Sequence, residues 1–188
     1  MHNDKPCYLN IQKIVITGGP STGKTSLIKK IGEEGFPCFE EISREVTLEA
    51  RKQGIPQLFI TDPLLFSERL LQGRIRQFGI ADTLDRPIVF FDRGIPDVLA
   101  YMDCFGQTYG QHFKDACISH RYDHVFLLPP WEDIHTSDNE RYESYEEAQR
   151  IHIFLEHTYT HFGYKIIHVP KETVEGRTIF ILNSIKNI

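Results

Sequence analysis

Residues 16–26 read ITGGPSTGKTS and set Gly18, Gly23, Lys24 and Thr25 at the spacing G-x-x-x-x-G-K-[ST]. Glycines at those positions let backbone N–H groups turn inward around phosphate oxygens. A helix that starts immediately afterwards aims the positive end of its dipole at the same anion. The spacing therefore predicts a loop for a nucleotide's phosphate chain formed by Gly18, Gly19, Pro20, Ser21, Thr22, Gly23, Lys24, Thr25 and Ser26. In such a loop Lys24 reaches the β- and γ-phosphates as a point charge, and the Thr25 hydroxyl takes one position on Mg²⁺.

Two further polar clusters could supply the rest of the chemistry. The stretch FEEISREV, residues 39–46, brings Glu40, Glu41, Arg44 and Glu45 together. A carboxylate there can accept the proton of an acceptor hydroxyl or orient a water, and Arg44, one turn on, can grip a substrate. Strand alternation alone leaves Glu40 and Glu41 as equal candidates, because they face opposite ways. The second cluster is DRGIPD, residues 92–97, where Asp92 closes an apolar run as a metal-holding acid does, with Arg93 beside it. The alternative role for Asp92 is to cap a helix beginning near Pro96. Farther along, the polar and aromatic segment of about residues 129–143 reads as a lid carrying Arg141, which either meets transition-state charge or pairs with Glu140 or Glu143. Histidine pairs at 120/124 and 157/161 lack a carboxylate or cysteine to complete a ligand set, so no structural metal is expected.

Every one of those clusters needs a scaffold. Short apolar runs at 13–17, 36–42, 87–91, 124–128 and 164–169 read as buried parallel strands. Between them lie helical patterns. One starts at Ser144 with a capping box and carries Ala148, Ile151, Leu155, Tyr159 and Phe162 toward Gly163. Another starts at Asp62 and Pro63 and carries Leu64, Leu71, Ile75 and Phe78 toward Gly79. Five strands alternating with helices predict an α/β fold, a doubly wound parallel sheet with helices on both faces. Such sheets bind ligands beyond the carboxyl ends of their strands, where all three clusters fall.

Composition narrows the possibilities further. The chain has 188 residues, 40% of them hydrophobic, and no repeat or linker, which predicts one domain spanning 1–188. A net charge of -5 excludes binding to nucleic acid through a broad basic surface. Four scattered cysteines predict a reducing compartment. With no signal-length apolar segment and no run long enough to span a bilayer, a cytoplasmic protein is expected.

The stretches GGPSTGKTSL, FEEISREV, FFDRGIPDVLAY and RYESYEEAQRIHIFLEHTYTHFGYKIIHVP together resemble a small AAA-type P-loop ATPase/kinase-like family. That family is related to the ribosylnicotinamide kinase domain of bacterial NAD regulators, and the resemblance runs from about residue 12 to the C-terminus. It implies a P-loop NTPase three-layer sandwich like that of nucleoside and nucleotide kinases, with the first strand central, between the third and fourth. Its E-x-x-R-E pattern falls on Glu41, Arg44 and Glu45, which favours Glu41 over Glu40. It also places an acidic strand end on Asp92 and Arg93. No adenylyltransferase domain is expected beside these residues, so nicotinamide riboside is one expected acceptor among several. Two functions of different kinds follow. In the first, a kinase moves the γ-phosphoryl group of ATP to a small-molecule hydroxyl, with Lys24, Glu41, Asp92 and Arg141 catalytic, Arg44, Glu45 and Arg93 binding substrate, and Thr25 and Asp92 holding Mg²⁺. In the second, a nucleotide-dependent switch moves its lid and a protein or lipid partner reads the change. No N-K-x-D stretch supports guanine recognition, so ATP is the expected donor.

Overall fold

A computed structural model of the chain describes residues 11–134 and 144–186. Its centre is a five-stranded sheet, β1 (Gln12–Gly18), β2 (Cys38–Phe39), β3 (Ile88–Asp92), β4 (His124–Leu128) and β5 (Ile166–His168), in the spatial order β2-β3-β1-β4-β5. All its pairings are parallel, with Val15 opposite both Phe91 and Val125. The expected strands at 36–42 and 164–169 shorten to two and three residues. Both are edge strands with one neighbour each, so only the part that reaches that neighbour forms a ladder. Pro37 lacks an N–H and can enter the sheet only as an acceptor, which it does through its carbonyl to Phe90 N at 2.9 Å.

Parallel strands joined by helices must be covered on both faces, and the alternation along β1 shows how. Ile14 and Ile16 join Phe90, Phe126 and Leu128 beneath α1 (Lys24–Glu33) and α8 (Val174–Lys186). Val15 joins Val89, Phe91, Val125 and Leu127 on the opposite face. That face is covered by α4 (Pro63–Ala81), α5 (Ile95–Cys104), α6 (Gln111–Ser119) and α7 (Tyr145–His161). A smaller apolar cluster of Ile42, Val46, Ala50 and Leu58 seats α2 (Ser43–Lys52) and α3 (Leu58–Thr61) against α4. The result is the three-layer arrangement expected from the strand pattern.

Local chemistry sets the helix starts. Asp62 accepts a hydrogen bond from Leu65 N at 3.0 Å with Pro63 next in line, and Ser144 forms a reciprocal capping box with Glu147. Helix α4 runs two residues past Gly79, and Leu64 of its expected apolar stripe is exposed while Leu71 is buried. Helix α5 begins at Ile95 with Gly94 as its N-cap, and the Asp97 carboxylate accepts from Gly94 N at 2.9 Å. The capping role considered for Asp92 is therefore filled by Asp97 instead. Of the expected lid, Trp131 and a 3₁₀ turn at Glu132–Ile134 are described, whereas Arg141 lies outside the described residues. Among the described residues no helix is long and apolar enough to cross a membrane.

Candidate active site

Strand order reverses on either side of β1, and the segments that leave the carboxyl ends of β1, β2 and β3 converge there. The loop between β1 and α1 is the most constrained of them. Gly18 has φ 153°, and a Cβ on it would lie 2.9 Å from the Leu128 carbonyl oxygen, so no larger residue fits. Gly23 has φ 83° directly before α1, again a conformation that suits glycine. Ser21, at φ 55°, is a non-glycine residue held in the same left-handed region. The Thr22 hydroxyl donates to the Gly19 carbonyl at 2.9 Å and closes the turn on itself.

Lys24 folds back into this turn, its ammonium 2.5 Å from the Gly19 carbonyl, and is 8% exposed. Burial pushes that ammonium down to about 7 and the Arg93 charge presses the same way, while Asp92, Glu41 and Asp97 pull against both. A bound polyphosphate would supply the negative charge this ammonium lacks. Thr25 and Ser26 are exposed on the first turn of α1, where α1's free N–H groups and dipole also favour an anion.

Glu41 and Arg93 form the second half of the site. Glu41 makes an ion pair with Arg93 Nε through one carboxylate oxygen. Its other oxygen accepts from Arg74 Nη2 at 3.2 Å and from Ser43 N at 3.3 Å. Burial works to raise the Glu41 carboxyl, but Arg93, Arg74 and Lys24 outweigh it and hold the group below the ordinary carboxylate range. Arg93 occupies a left-handed backbone conformation, φ 74°, fixed by its N–H to the Ile16 carbonyl at 3.0 Å. Its guanidinium also donates to the Gly18 carbonyl at 3.2 Å, so one arginine joins the β1 loop to Glu41. Outside this pair lies a cavity of about 410 Å³ lined by Glu40, Glu41, Arg44, Glu45 and Gln77 among others. Arg44 and Glu45 are exposed on its rim, and Glu45 pairs outward with Arg76 at 3.3 Å rather than with the Glu41 cluster.

Asp92 ends β3 at 6% exposure, and its Oδ1 is buried without a hydrogen-bond partner. Burial lifts this carboxyl to about 6, with Lys24 opposing and Glu41 adding to the rise. A buried carboxylate oxygen without a hydrogen-bond partner is costly, and a cation would satisfy it. This carboxylate and the Thr25 hydroxyl are oxygen donors of the type that Mg²⁺ takes.

Three residues that pattern reasoning passed over complete the arrangement. Arg74, 3% exposed, donates to the Gly94 carbonyl at 2.8 Å as well as to Glu41. Its signal was an arginine lying between Leu71 and Ile75 on the buried stripe of α4. Asp97 is fully buried and collects Thr17 Oγ1 at 2.6 Å, Tyr159 Oη at 2.5 Å and Arg93 Nη1 at 3.4 Å. A carboxylate among the apolar residues of the first turns of α5 was the clue there. Arg177 on α8 reaches the phosphate loop from the opposite end of the chain, and nothing local marks it.

The family described as AAA domain matches residues 13–177. The chain belongs to that AAA domain family. Solved structures agree on a P-loop kinase-like fold for this AAA domain. Deoxyadenosine kinase from M. mycoides superposes with a TM-score of 0.70 at 17% identity, over 94% of this chain and 100% of that chain. A NadR protein in complex with NR gives 0.73 at 20% identity over 95% of this chain, which spans about half of that protein's length, 49%. Shikimate kinase from Acinetobacter baumannii, in complex with shikimate, gives 0.61 at 14% identity over 96% of both chains. No curated protein sequence matches this AAA domain.

Proposed function

We propose that the protein is a kinase that transfers the γ-phosphoryl group of ATP to a hydroxyl of a small, nucleoside-like acceptor. The observation that carries this reading is the Glu41 carboxylate, fixed between Arg74 and Arg93 at the edge of a cavity and tied through Arg93 to the Gly18 end of the phosphate loop. A nucleotide switch needs only a placed water, whereas this arrangement provides an anchored acceptor for a hydroxyl proton. Because phosphoryl transfer passes through a loose transition state, the nucleophile's proton leaves late and a weak base suffices. A carboxylate held below its usual range suits that role, since it stays ionised, accepts the hydroxyl's hydrogen bond and orients its oxygen.

Lys24 and the N–H groups of the β1–α1 loop would bind the donor's phosphates, and Arg93 would offset charge developing between donor and acceptor. Bound Mg²⁺, held by Thr25 and Asp92, would neutralise phosphate charge and align the donor. Arg44 would touch the acceptor from the cavity rim, and Arg141 would approach from the lid. Glu45, turned toward Arg76, has the weakest support among the proposed substrate contacts.

The test is ADP release with pooled nucleosides, vitamins and sugars, set against acceptor-free ATP turnover and followed by mass detection of a phosphorylated product. Acceptor-stimulated turnover, lost by two or more orders of magnitude in a folded Lys24→Ala variant, supports the kinase. If no pool stimulates turnover and a protein or lipid partner binds only the nucleotide-loaded form, the kinase gives way to the switch.

A further inference from the structure

Arg177 is a cation in an improbable place. It lies on the first turns of α8 at 5% exposure, yet no ion pair joins it to a carboxylate among the described residues. Its Nε is buried without a hydrogen-bond partner. An unpaired buried guanidinium is costly, and a neutral side chain would fill the same space more cheaply. Burial accordingly lowers its affinity for its proton. Its side-chain hydrogen bond and its tightest contact both lead to the phosphate loop. Nη1 donates to the Thr22 carbonyl at 2.9 Å. Nη2 presses so closely on Gly23 that a Cβ there would come within 2.9 Å of it. On its other side the guanidinium lies 5.8 Å from the Trp131 ring, in reach of a cation–π contact with the segment that follows β4.

The geometry points to Arg177 as a positioning residue for the donor nucleotide, one that shapes the phosphate loop from α8 and lends it a positive charge whose counter-ion is the nucleotide's own polyphosphate. The Thr22 carbonyl and the Gly23 N–H belong to one planar trans peptide and point in opposite directions. Drawing the carbonyl toward α8 therefore turns the N–H away from α8, and it does so at the residue whose left-handed φ opens α1. The charge is a separate contribution. A guanidinium in contact with Gly23 sits beside the N-terminus of α1, where it adds to the helix dipole and, being buried, is little screened by solvent. This inference rests on reading residues 18–26 as a nucleotide site, and is independent of the identity of any acceptor.

The experiment is calorimetric titration of the full chain with ATP and ADP, with and without Mg²⁺, at low and high ionic strength. Arg177→Gln keeps an N–H donor for the Thr22 carbonyl and removes the charge. Arg177→Lys keeps the charge and loses the planar fork. For Arg177→Gln the expected result is nucleotide affinity weakened by about tenfold or more at both ionic strengths, because a buried charge is little screened by salt. Arg177→Lys should recover part of the affinity. Should Arg177→Gln fail to fold, the lysine variant carries the test through an intermediate affinity with wild-type salt dependence. Wild-type affinity in either folded variant overturns the inference, even if thermal stability has dropped, since that pattern belongs to a purely structural residue. Lys24→Ala separates the two levels. If wild type binds nucleotide and Lys24→Ala does not, while Arg177→Gln binds normally, only the role of Arg177 is wrong. If wild type binds no nucleotide, the nucleotide site and this inference fall together.

Discussion

Glu41 and Asp92 sit in one cluster, and burial works to raise both carboxyl groups. Their outcomes differ because two arginines pair with Glu41 directly, whereas one oxygen of Asp92 has no hydrogen-bond partner among the described residues. Different substitutions should therefore give different signatures. Glu41→Gln keeps the shape and loses the charge, so acceptor phosphorylation should fall by about 10²-fold or more while Mg-ATP affinity stays near wild type. Arg74, nearly buried, would lose its counter-ion, and folding stability should drop by about 1–3 kcal/mol in a urea titration. Nucleotide affinity falling in step with turnover would show instead that Glu41 serves the donor. For Asp92→Asn the expectation reverses. Burial of this charge outweighs its attraction to Lys24, so its removal should leave denaturation midpoints unchanged or raised, yet the Mg²⁺ dependence of nucleotide binding should weaken by about tenfold or more. Unchanged Mg²⁺ dependence would remove Asp92 from the metal site.

The elements converge on Asp97. Its carboxylate accepts hydrogen bonds from β1 through Thr17, from α7 through Tyr159 and from the N-terminus of its own α5 through Gly94. It also faces Arg93, which reaches both the phosphate loop and Glu41. Helices α5 and α7 are thus locked to the central strand by one buried anion, just below the loop. Asp97→Asn would turn an amide donor toward at least one of those donors, and we expect a loss of about 1–3 kcal/mol in denaturant unfolding. Tyr159→Phe removes one hydrogen bond and no charge, and should cost less, about 1 kcal/mol. A loss for Tyr159→Phe equal to that of Asp97→Asn would mean that aromatic packing, rather than the anion, holds α7.

Across the whole molecule, pH acts on stability through His152, on the face of α7 that meets the ends of β4 and β5. Its Nδ1 is buried without a partner. Burial lowers its affinity for a proton and His168 presses the same way, while Glu156 and the Leu128 carbonyl oppose them. The unfolded chain therefore takes up the proton first as pH falls through the ordinary value of 6.5. Stability should be level above about 6.5, decline as pH falls from there to the folded value, and level off again below it. Asp92, raised to about 6, acts in the opposite sense, so the expected signature is a difference: over that range the urea midpoint of wild type should fall relative to that of His152→Asn, and equal slopes would exclude His152 as a source. The same segment shows how sequence and tertiary structure divided the work. The glycine and lysine spacing at 18–25, the five apolar runs, the capping box at Ser144 and the AspPro start at 62–63 were legible because each depends on neighbours a few residues away. Phosphate binding, strand periodicity and helix capping are local physics. Which of Glu40 and Glu41 turns inward was decided by Arg74 and Arg93, which lie 33 and 52 positions beyond Glu41 in the chain. Asp97 rather than Asp92 became the helix cap, and Arg177 came to rest on Thr22 across 155 residues. Those partners meet only when the sheet closes, because a buried charge takes its position from whatever the fold brings within hydrogen-bond reach, and no local pattern encodes that.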